Sequence, residues 1–270
     1  MVKCQLIVDA MNRIAPKRLA EEWDNPGLLV GSPEQEVRRV LICLDVTEDA
    51  VEQAVEAGAE LIIAHHPLIF RPIHHLRTDL PLGRRIQKLM QHGIAVFAAH
   101  TNLDSAKGGV NDVLAKRLGL SDIRLLERTE DGMEAVPSLG RMGELAESLS
   151  AKAFAAHVKK SLSCGHVRLV ESGSHPVQRV AVCGGSAADL IPKAAFLGAD
   201  TYVTGDVRYH DAQKAMELGL HVIDAGHFGT EYPVVHAVHE LLSEELARLR
   251  QGGSVELLED TGAQDVFTLL

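Results

Sequence analysis

Apolar runs alternate with amphipathic runs along the first part of the chain, and each run has the period of a strand or a helix. Thr47 is a suitable helix N-cap, and Gly58 stands where a glycine commonly ends a helix. The predicted strands are VRRVLICLDV (37–46), LIIAHH (61–66) and IAVFAAH (94–100), and the predicted helices are TEDAVEQAVEAGAE (47–60) and LPLGRRIQKLMQHG (80–93). Alternating strands and helices form right-handed β-α-β units, so the pattern predicts an α/β fold with a mainly parallel sheet.

The second half of the chain repeats this pattern. Residues 180–206 align with residues 40–66 without a gap, and the alignment places Cys183 on Cys43. Another predicted helix and strand follow the repeated segment, as they do in the first half. We therefore predict an internal duplication that gives two related α/β lobes.

Polar composition between the repeats predicts the domain boundaries. We expect an N-terminal lobe at residues 1–127, a linker at 128–145 and a C-terminal lobe at 146–270. A long helix is predicted at 230–250, and it could pack back on the N-terminal lobe. The segment that begins at Ser254 could add one edge strand.

Composition excludes several classes of protein. The 46% of apolar residues supports a well-buried core, whereas 4% of aromatic residues argues against a stacking platform for single-stranded nucleic acid. A formal net charge of -10 disfavours a non-specific duplex binder. No apolar stretch reaches the roughly 18 residues that a membrane span needs, and the N-terminus lacks the apolar region of a secretory signal. Four widely spaced cysteines predict reduced thiols, so we expect a cytoplasmic protein.

Histidines and carboxylates gather where the predicted strands end. In a parallel sheet these ends share one edge, so the residues of several strands can meet there. The residues at these ends are His65, His66, His100, Asn102, Asp104, Asp206, His210, His227 and Glu231. Neutral imidazoles and carboxylates are ligands for Zn, Fe, Mn, Ni or Co. The pattern predicts a metal site between the two lobes.

Local sequence indicates how adjacent ligands could reach one pocket. Neighbouring side chains of a strand point to opposite faces, but Pro67 turns the backbone directly after His65 and His66. In GHFGTE (226–231), Thr230 is the expected N-cap of the following helix, which places His227 before the helix and Glu231 in its first turn. Both side chains could then bind the same ion.

Several of these residues have alternative interpretations. Either His65 or His66 alone could be a satisfied core histidine, and the pair His74 and His75 reads as solvated loop residues. His236 and His239 fit a surface or an interface. Asp45 and Asp206 either orient ligating histidines or form turns, and for Asp45 we favour a turn. The segment Gly184-Gly185-Ser186 resembles an anion-binding turn at a helix start but lacks a complete phosphate-binding pattern.

The chain resembles the Nif-three-like family, also called domain of unknown function thirty-four, over nearly its whole length. The matching stretches are EEWDNPGLLVG (21–31), LDVTEDAVEQAVEAGAELIIAHHPLIF (44–70), HTNLDSAKGGVND (100–112), GRMGEL (140–145), VAVCGGS (180–186), GADTYVTGDVRYHDAQKA (198–215) and AGHFGTE (225–231). Larger members carry an extra domain between the halves, and the short linker here matches the compact form.

The resemblance implies a site, an assembly and an activity. The family's five metal ligands fall on His65, His66, Asp104, His227 and Glu231, which would hold two divalent ions per subunit. The implied assembly is a homohexamer, a trimer of dimers around a central cavity. Members are labelled GTP cyclohydrolase 1 type 2 homologs, so a nucleotide is one implied substrate.

These observations predict a dinuclear metal-dependent hydrolase that acts on a nucleotide-like, cyclic amide or phosphoester substrate. His100 and His210 are the candidates for proton transfer, because they lie at strand ends outside the ligand set. Arg71 and Arg208 are candidate contacts for substrate phosphates. The alternative is a metal-dependent regulatory or binding hexamer without turnover. Neither reading includes a membrane or a nucleic acid as a partner.

Overall fold

The predicted alternation of strands and helices is present in the computed structural model, which describes residues 1–126, 138–250 and 254–268. The strands are β1 (Val2–Lys3), β2 (Gly27–Val30), β3 (Glu36–Val37), β4 (Arg39–Cys43), β5 (Leu61–Ala64), β6 (Ala95–Ala98), β7 (Ser121–Leu125), β8 (Arg141–Leu149), β9 (Arg168–Val170), β10 (Val177–Ser186), β11 (Thr201–Gly205), β12 (His221–Asp224) and β13 (Glu256–Glu259). The helices are α1 (Cys4–Ile14), α2 (Glu48–Ala57), α3 (Pro81–Gln91), α4 (Thr101–Ser105), α5 (Val110–Arg117), α6 (Ala151–Ser161), α7 (Ile191–Phe196), α8 (Tyr209–Glu217), α9 (His227–Glu231) and α10 (Val234–Arg248). Short 3₁₀ turns occupy Lys17–Leu19 and Ala188–Leu190.

The chain forms two units. The first contains Met1–Lys107 and Val234–Ala263, and the second contains Gly108–Pro233 and Gln264–Leu270. The C-terminal helix α10 packs against α1 and β4 within the first unit. The second unit therefore begins before the expected boundary at residue 127, and the chain returns to the first unit at Val234.

The expected linker at 128–145 does not describe this part of the chain correctly. Residues 127–137 lie outside the described ranges, but Arg141–Leu149 is strand β8 of the second unit. Arg141 and Met142 are buried, since β8 pairs with both β7 and β10. Residues 138–145, the part of the predicted linker that the structure describes, are mostly buried, so their polar composition does not indicate a linker.

The sheet of the first unit has the order β13-β4-β5-β6-β2. Its first four strands are parallel, and β2 runs antiparallel to β6 at one edge. The expected edge strand after Ser254 is thus present as β13, paired with β4. Strands β4, β5 and β6 consist almost wholly of buried apolar residues, as expected of a sheet covered on both faces.

Helix α2 follows the signals in its sequence. The Thr47 hydroxyl accepts a hydrogen bond from the amide of Ala50, and Gly58 ends the helix with a φ of 65°. A left-handed residue at this position is cheap only for glycine, which has no Cβ. The turn at Gly58 leads into β5 and so determines where His65 and His66 lie at the end of that strand.

The sheet of the second unit has the order β7-β8-β10-β11-β12-β9. Strands β10, β11 and β12 are parallel, whereas β7, β8 and β9 pair antiparallel to their neighbours. The predicted α/β class with sheets built mainly around parallel strands is confirmed. The origin of the two units by duplication stays a prediction.

Within the described ranges, every helix is too short or too polar to cross a bilayer.

Candidate metal centre

His65 directly follows β5 and keeps the backbone pairing of that strand. Its amide donates to the carbonyl of Cys43, and its side chain is only 1% exposed. The ring atom Nδ1 lies 2.9 Å from the carbonyl oxygen of Ala99. A carbonyl can only accept, so Nδ1 carries the proton and Nε2 of a neutral ring keeps its lone pair. His65 is therefore prepared as an Nε2 ligand.

His66 is held by a carboxylate. Its Nδ1 lies 2.9 Å from Oδ1 of Asp45, and its ring centroid is 4.9 Å from that of His65. The preference for a turn role at Asp45 was wrong, because this side chain orients an imidazole. A carboxylate on Nδ1 fixes the tautomer and makes Nε2 a stronger donor to a metal.

His100 has the most deeply buried partner of the described histidines at this edge of the sheet. Its Nδ1 lies 2.8 Å from Oδ1 of Asp24, whose side chain is fully shielded from solvent. Asp24 also accepts hydrogen bonds from the amide and the hydroxyl of Thr101. Burial raises the pKa of Asp24, but the hydrogen bonds from His100 and Thr101 outweigh it and lower the pKa to about 2. Asp24 is therefore a permanent anion at neutral pH.

Asp24 is not among the candidate residues predicted from the sequence. The residue precedes β2, and the antiparallel pairing of β2 with β6 brings it to the start of α4. The sequence signal that could have identified Asp24 is its position in EEWDNPGLLVG, one of the stretches that carries the family resemblance. Only the sheet order connects residue 24 with residue 100.

The rings of His65, His66 and His100 converge in the first unit. The ring centroid of His100 lies 5.3 Å from that of His65 and 5.6 Å from that of His66, and one nitrogen from each ring lies within 4.8 Å of the others. Asp104 adds a carboxylate, with Oδ1 3.6 Å from Nε2 of His65. Asp104 lies in the short helix α4 that follows β6. Three imidazoles and a carboxylate form a cation-binding group of suitable chemistry.

Asn102, another polar residue predicted at this edge, has a structural role. Its side chain is buried and donates to the carbonyl of Ala15, while its oxygen accepts from the amide of His100. These bonds hold the start of α4 against the end of α1.

The second unit contributes His227 and Glu231 from the short helix α9. They are its first and last residues, and Nε2 of His227 lies 3.0 Å from Oε2 of Glu231. Nδ1 of His227 lies 2.8 Å from Oδ2 of Asp206, so this histidine also has a carboxylate partner. Asp206 adopts a φ of 55°, a costly conformation for a residue with a side chain. One helical turn separates His227 from Glu231, and this places the two side chains next to each other.

The N-cap of this segment was predicted incorrectly. Gly226 is the N-cap of α9, and Thr230 lies inside the helix. The Thr230 hydroxyl donates to the backbone of its own helix and accepts from the amide of Gly185. Thr230 therefore stabilises the fold through a hydrogen bond between α9 and β10.

Gly184 and Gly185 form the wall behind Glu231. They lie at the end of β10 and do not open a helix, so they do not form the turn at a helix start that the sequence resembles. A Cβ added to Gly185 would collide with Oε1 of Glu231 and lie 3.2 Å from Nε2 of His227. The two glycines leave the space that these ligands occupy.

We expect Gly185→Ala to weaken metal binding about 10-fold or more, because the new methyl group displaces Glu231. Gly219→Ala is the matched control. Gly219 has a φ of 67° against 65° for Gly185, but a Cβ there would meet nothing within 4 Å. Both variants place an alanine at nearly the same positive φ, so metal titration of the two separates the cost of that φ from steric displacement. Equal metal affinities in the two variants would contradict the role of Gly185.

The other candidate residues lie outside these groups. His210 is exposed on α8, and its Nδ1 contacts Oε1 of Gln213 at 2.9 Å. Among the residues that the structure describes, His210 belongs to no group of three metal-ligating side chains. Arg71 and Arg208 are exposed, as are His74 and His75. His236 and His239 each lie 2.9 Å from Oε1 of Glu259 on the surface of the first unit.

The donor set fits a divalent metal. His66, His100 and His227 each have Nδ1 next to a carboxylate oxygen, and His65 has Nδ1 next to a backbone carbonyl. This is the usual support of metal-ligating imidazoles, because it fixes both tautomer and ring orientation. The chemistry available at such a group is Lewis-acid catalysis or structural metal binding.

Comparison with known proteins gives matches over nearly the whole chain. The family model described as Duf34/NIF3 (NGG1p interacting factor 3) matches residues 2–261. A Clostridium perfringens protein named GTP cyclohydrolase 1 type 2 homolog is 36% identical over 269 residues, with 100% of both chains covered. A Lactococcus lactis protein of the same name is 37% identical over 243 residues, covering 89% of this chain and 90% of the relative.

Solved structures show the same fold. The Bacillus cereus protein related to NIF3 superposes with a TM-score of 0.91 at 31% identity, covering 100% of this chain and 99% of the other. Reduced HcgD from Methanocaldococcus jannaschii gives a TM-score of 0.80 at 30% identity, with 96% and 97% coverage. The family resemblance seen in the sequence is confirmed.

Proposed function

Because the chain belongs to the Duf34/NIF3 (NGG1p interacting factor 3) family, we propose that it is a dinuclear-metal hydrolase acting on a nucleotide-like, cyclic amide or phosphoester substrate. The observation that carries the proposal is the shared support of the imidazoles. Each of His65, His66 and His227 has Nδ1 held by an oxygen acceptor, so Nε2 is the ring nitrogen that would bind a cation.

The proposed ligands come from both units. The first unit would supply His65, His66 and Asp104, and the second would supply His227 and Glu231, to bind two ions of Zn, Fe, Mn, Ni or Co. This mixture of imidazole and carboxylate suits those metals. Asp104 and Glu231 are the candidates to share both ions, since a carboxylate has two oxygens.

The bound ions would polarise the electrophile and supply a nucleophile at neutral pH, because a divalent cation lowers the pKa of its water from 15.7 to about 7. His100 is assigned to proton transfer. Its Nδ1 proton is held by the buried anion Asp24, which would stabilise the imidazolium after Nε2 accepts a proton. His210 is not assigned this role, because its ring contacts are with Gln213 and Tyr209 on its own helix.

GTP is the first substrate to test, since several relatives are named GTP cyclohydrolase 1 type 2 homologs. In that reaction water attacks C8 of the purine. Arg71 and Arg208 remain the proposed partners of the phosphates, and both are exposed.

The decisive experiment combines metal analysis with activity screening. We expect two ions per chain in protein purified without chelators, and hydrolysis of at least one nucleotide, phosphoester or cyclic amide. Removal of the metal by chelation should abolish that activity, and adding the ion back should restore it. Two bound ions without any turnover would favour the metal-dependent binding hexamer, and chains without metal would exclude both functions.

We also propose that the protein is a cytoplasmic homohexamer, a trimer of dimers. A hexamer of 29.2 kDa chains has a mass of about 175 kDa. Light scattering at micromolar concentration should give this mass. A stable monomer at the same concentration would refute the assembly.

A further inference from the structure

Two aromatic side chains stand exposed beside the histidines of the first unit. Trp23 is the only tryptophan of the chain and is 58% exposed, and Phe70 is 42% exposed. Their ring centroids lie 5.9 Å apart with an angle of 72° between the planes. Large aromatic rings dominate the energetics of cores and interfaces, so a contacting pair left in water marks a binding surface.

The backbone beneath these rings is anchored by hydrogen bonds. Asn25 donates from its side chain to the carbonyl of Ile69 at 2.6 Å, which ties the segment of Trp23 to that of Phe70. The amide of Glu21 donates to the hydroxyl of Thr101. The residue after Trp23 is Asp24, whose buried carboxylate is held by His100 and Thr101. The two rings are therefore presented by an ordered base, which lowers the entropic cost of binding.

The aromatic pair adjoins the imidazole cluster. The ring centroid of His100 lies 6.2 Å from that of Trp23 and 6.2 Å from that of Phe70, in an edge contact with each. The ring centroid of His100 also lies 5.3 Å from that of His65. A ring that contacts both Trp23 and Phe70 would thus lie near His100, the residue assigned to proton transfer.

We infer that Trp23 and Phe70 bind a planar heteroaromatic ring of nucleobase type, which rests on the proposed function because this ring would belong to the substrate of the same centre. The indole face offers stacking to a flat π-system and offers little to a saturated cyclic amide. Stacking on one aromatic side chain changes the affinity for a base by about 5- to 150-fold. The inference selects the nucleotide-like class from the three substrate classes proposed above.

The sole tryptophan makes the test direct, because intrinsic indole fluorescence reports on Trp23 alone. Metal-loaded protein is titrated with guanosine, which has an aromatic ring and no phosphate. Dihydrouracil is the saturated cyclic amide, and ribose 5-phosphate is the phosphoester without a base. We expect saturable quenching by guanosine only.

Variants are compared by equilibrium dialysis with guanosine, which does not depend on the fluorophore. Trp23→Leu and Phe70→Leu should each weaken binding at least about fivefold. Trp23→Phe should keep most of the affinity, because it keeps an aromatic face. Phe196→Leu is the matched control, since Phe196 is 89% exposed in the second unit and should bind as wild type.

The outcomes separate this inference from the proposed function. Unchanged guanosine binding by Trp23→Leu, or no binding by the wild type, would overturn the ring site even if two ions and hydrolysis were found. Guanosine binding that depends on Trp23, in protein that holds no metal when purified without chelators, would support the ring site and refute the metal centre. Fluorescence that changes on dilution but not with guanosine would assign the aromatic pair to contact with a second copy and overturn the inference.

Discussion

Replacing Asp104 by alanine is expected to remove at least one ion per chain and any hydrolytic activity, while the protein stays folded. The carboxylate lies 3.6 Å from Nε2 of His65 and is 15% exposed, so its loss opens no apolar cavity. As a first-turn acid of α4 it contributes about 0.3–1 kcal/mol to the helix. Removing the carboxylate that is proposed to bind both cations should cost far more in metal affinity than in folding.

Elemental analysis and circular dichroism on the same preparations measure both effects. Asp49→Ala is the matched control, since Asp49 is also an acid in the first turn of a helix and is exposed. It should keep both ions and full activity. If Asp104→Ala keeps two ions and full turnover, Asp104 is not a ligand. If the variant unfolds while the control does not, the metals are structural, and the reading as a binding hexamer gains support.

Asp24→Asn is expected to lower turnover by about 10- to 100-fold and to destabilise the fold. The asparagine keeps the shape of the buried side chain, but one of its two ends becomes a donor that faces donors from His100 or Thr101. An unsatisfied buried group costs about 1–3 kcal/mol, and loss of the orienting carboxylate typically costs 10- to 100-fold in activity. Urea unfolding and steady-state kinetics measure the two effects, with the exposed Asp79→Asn as control.

The dependence of this stability on pH follows from the pKa of Asp24. The folded value of about 2 lies below the unfolded value of 3.8, so ionised Asp24 favours the folded state. This stabilisation, about 2 kcal/mol, is complete above the unfolded pKa and is lost as the pH falls through the folded pKa. The stability difference between wild type and Asp24→Asn should therefore be constant above pH ~5 and shrink towards pH ~2. A difference that does not change over this range would exclude an ionised, hydrogen-bonded Asp24.

Sequence signals predicted the structure correctly where the stabilising interactions lie within one short segment. Helix α2 has its N-cap Thr47 and its terminal glycine Gly58 within the segment 47–58, and the structure places both of them as predicted. The same reasoning failed at Thr230, since its hydroxyl bonds to the amide of Gly185, which is 45 residues earlier in the chain. No pattern within the segment 226–231 records that contact.

Gly184 and Gly185 show a related limit. A pair of glycines after a strand resembles a phosphate-binding turn, although the sequence lacks the complete pattern of such a turn. In the structure the missing side chains leave room for Glu231 of α9. Glycine is required there by close approach of another element, and closeness of this kind is a property of the packed chain.

The sequence by itself determined the alternation of strands and helices, the class of the fold and the residue types that could bind a cation. It did so because burial imposes a period on apolar positions, and because imidazoles and carboxylates at strand ends have few other uses in such number. The tertiary structure decided which oxygen holds each imidazole. The partners of His65, His66, His100 and His227 lie 34, 21, 76 and 21 residues away. Hydrogen bonds across such separations depend on strand order and register, which the period of a single strand does not encode.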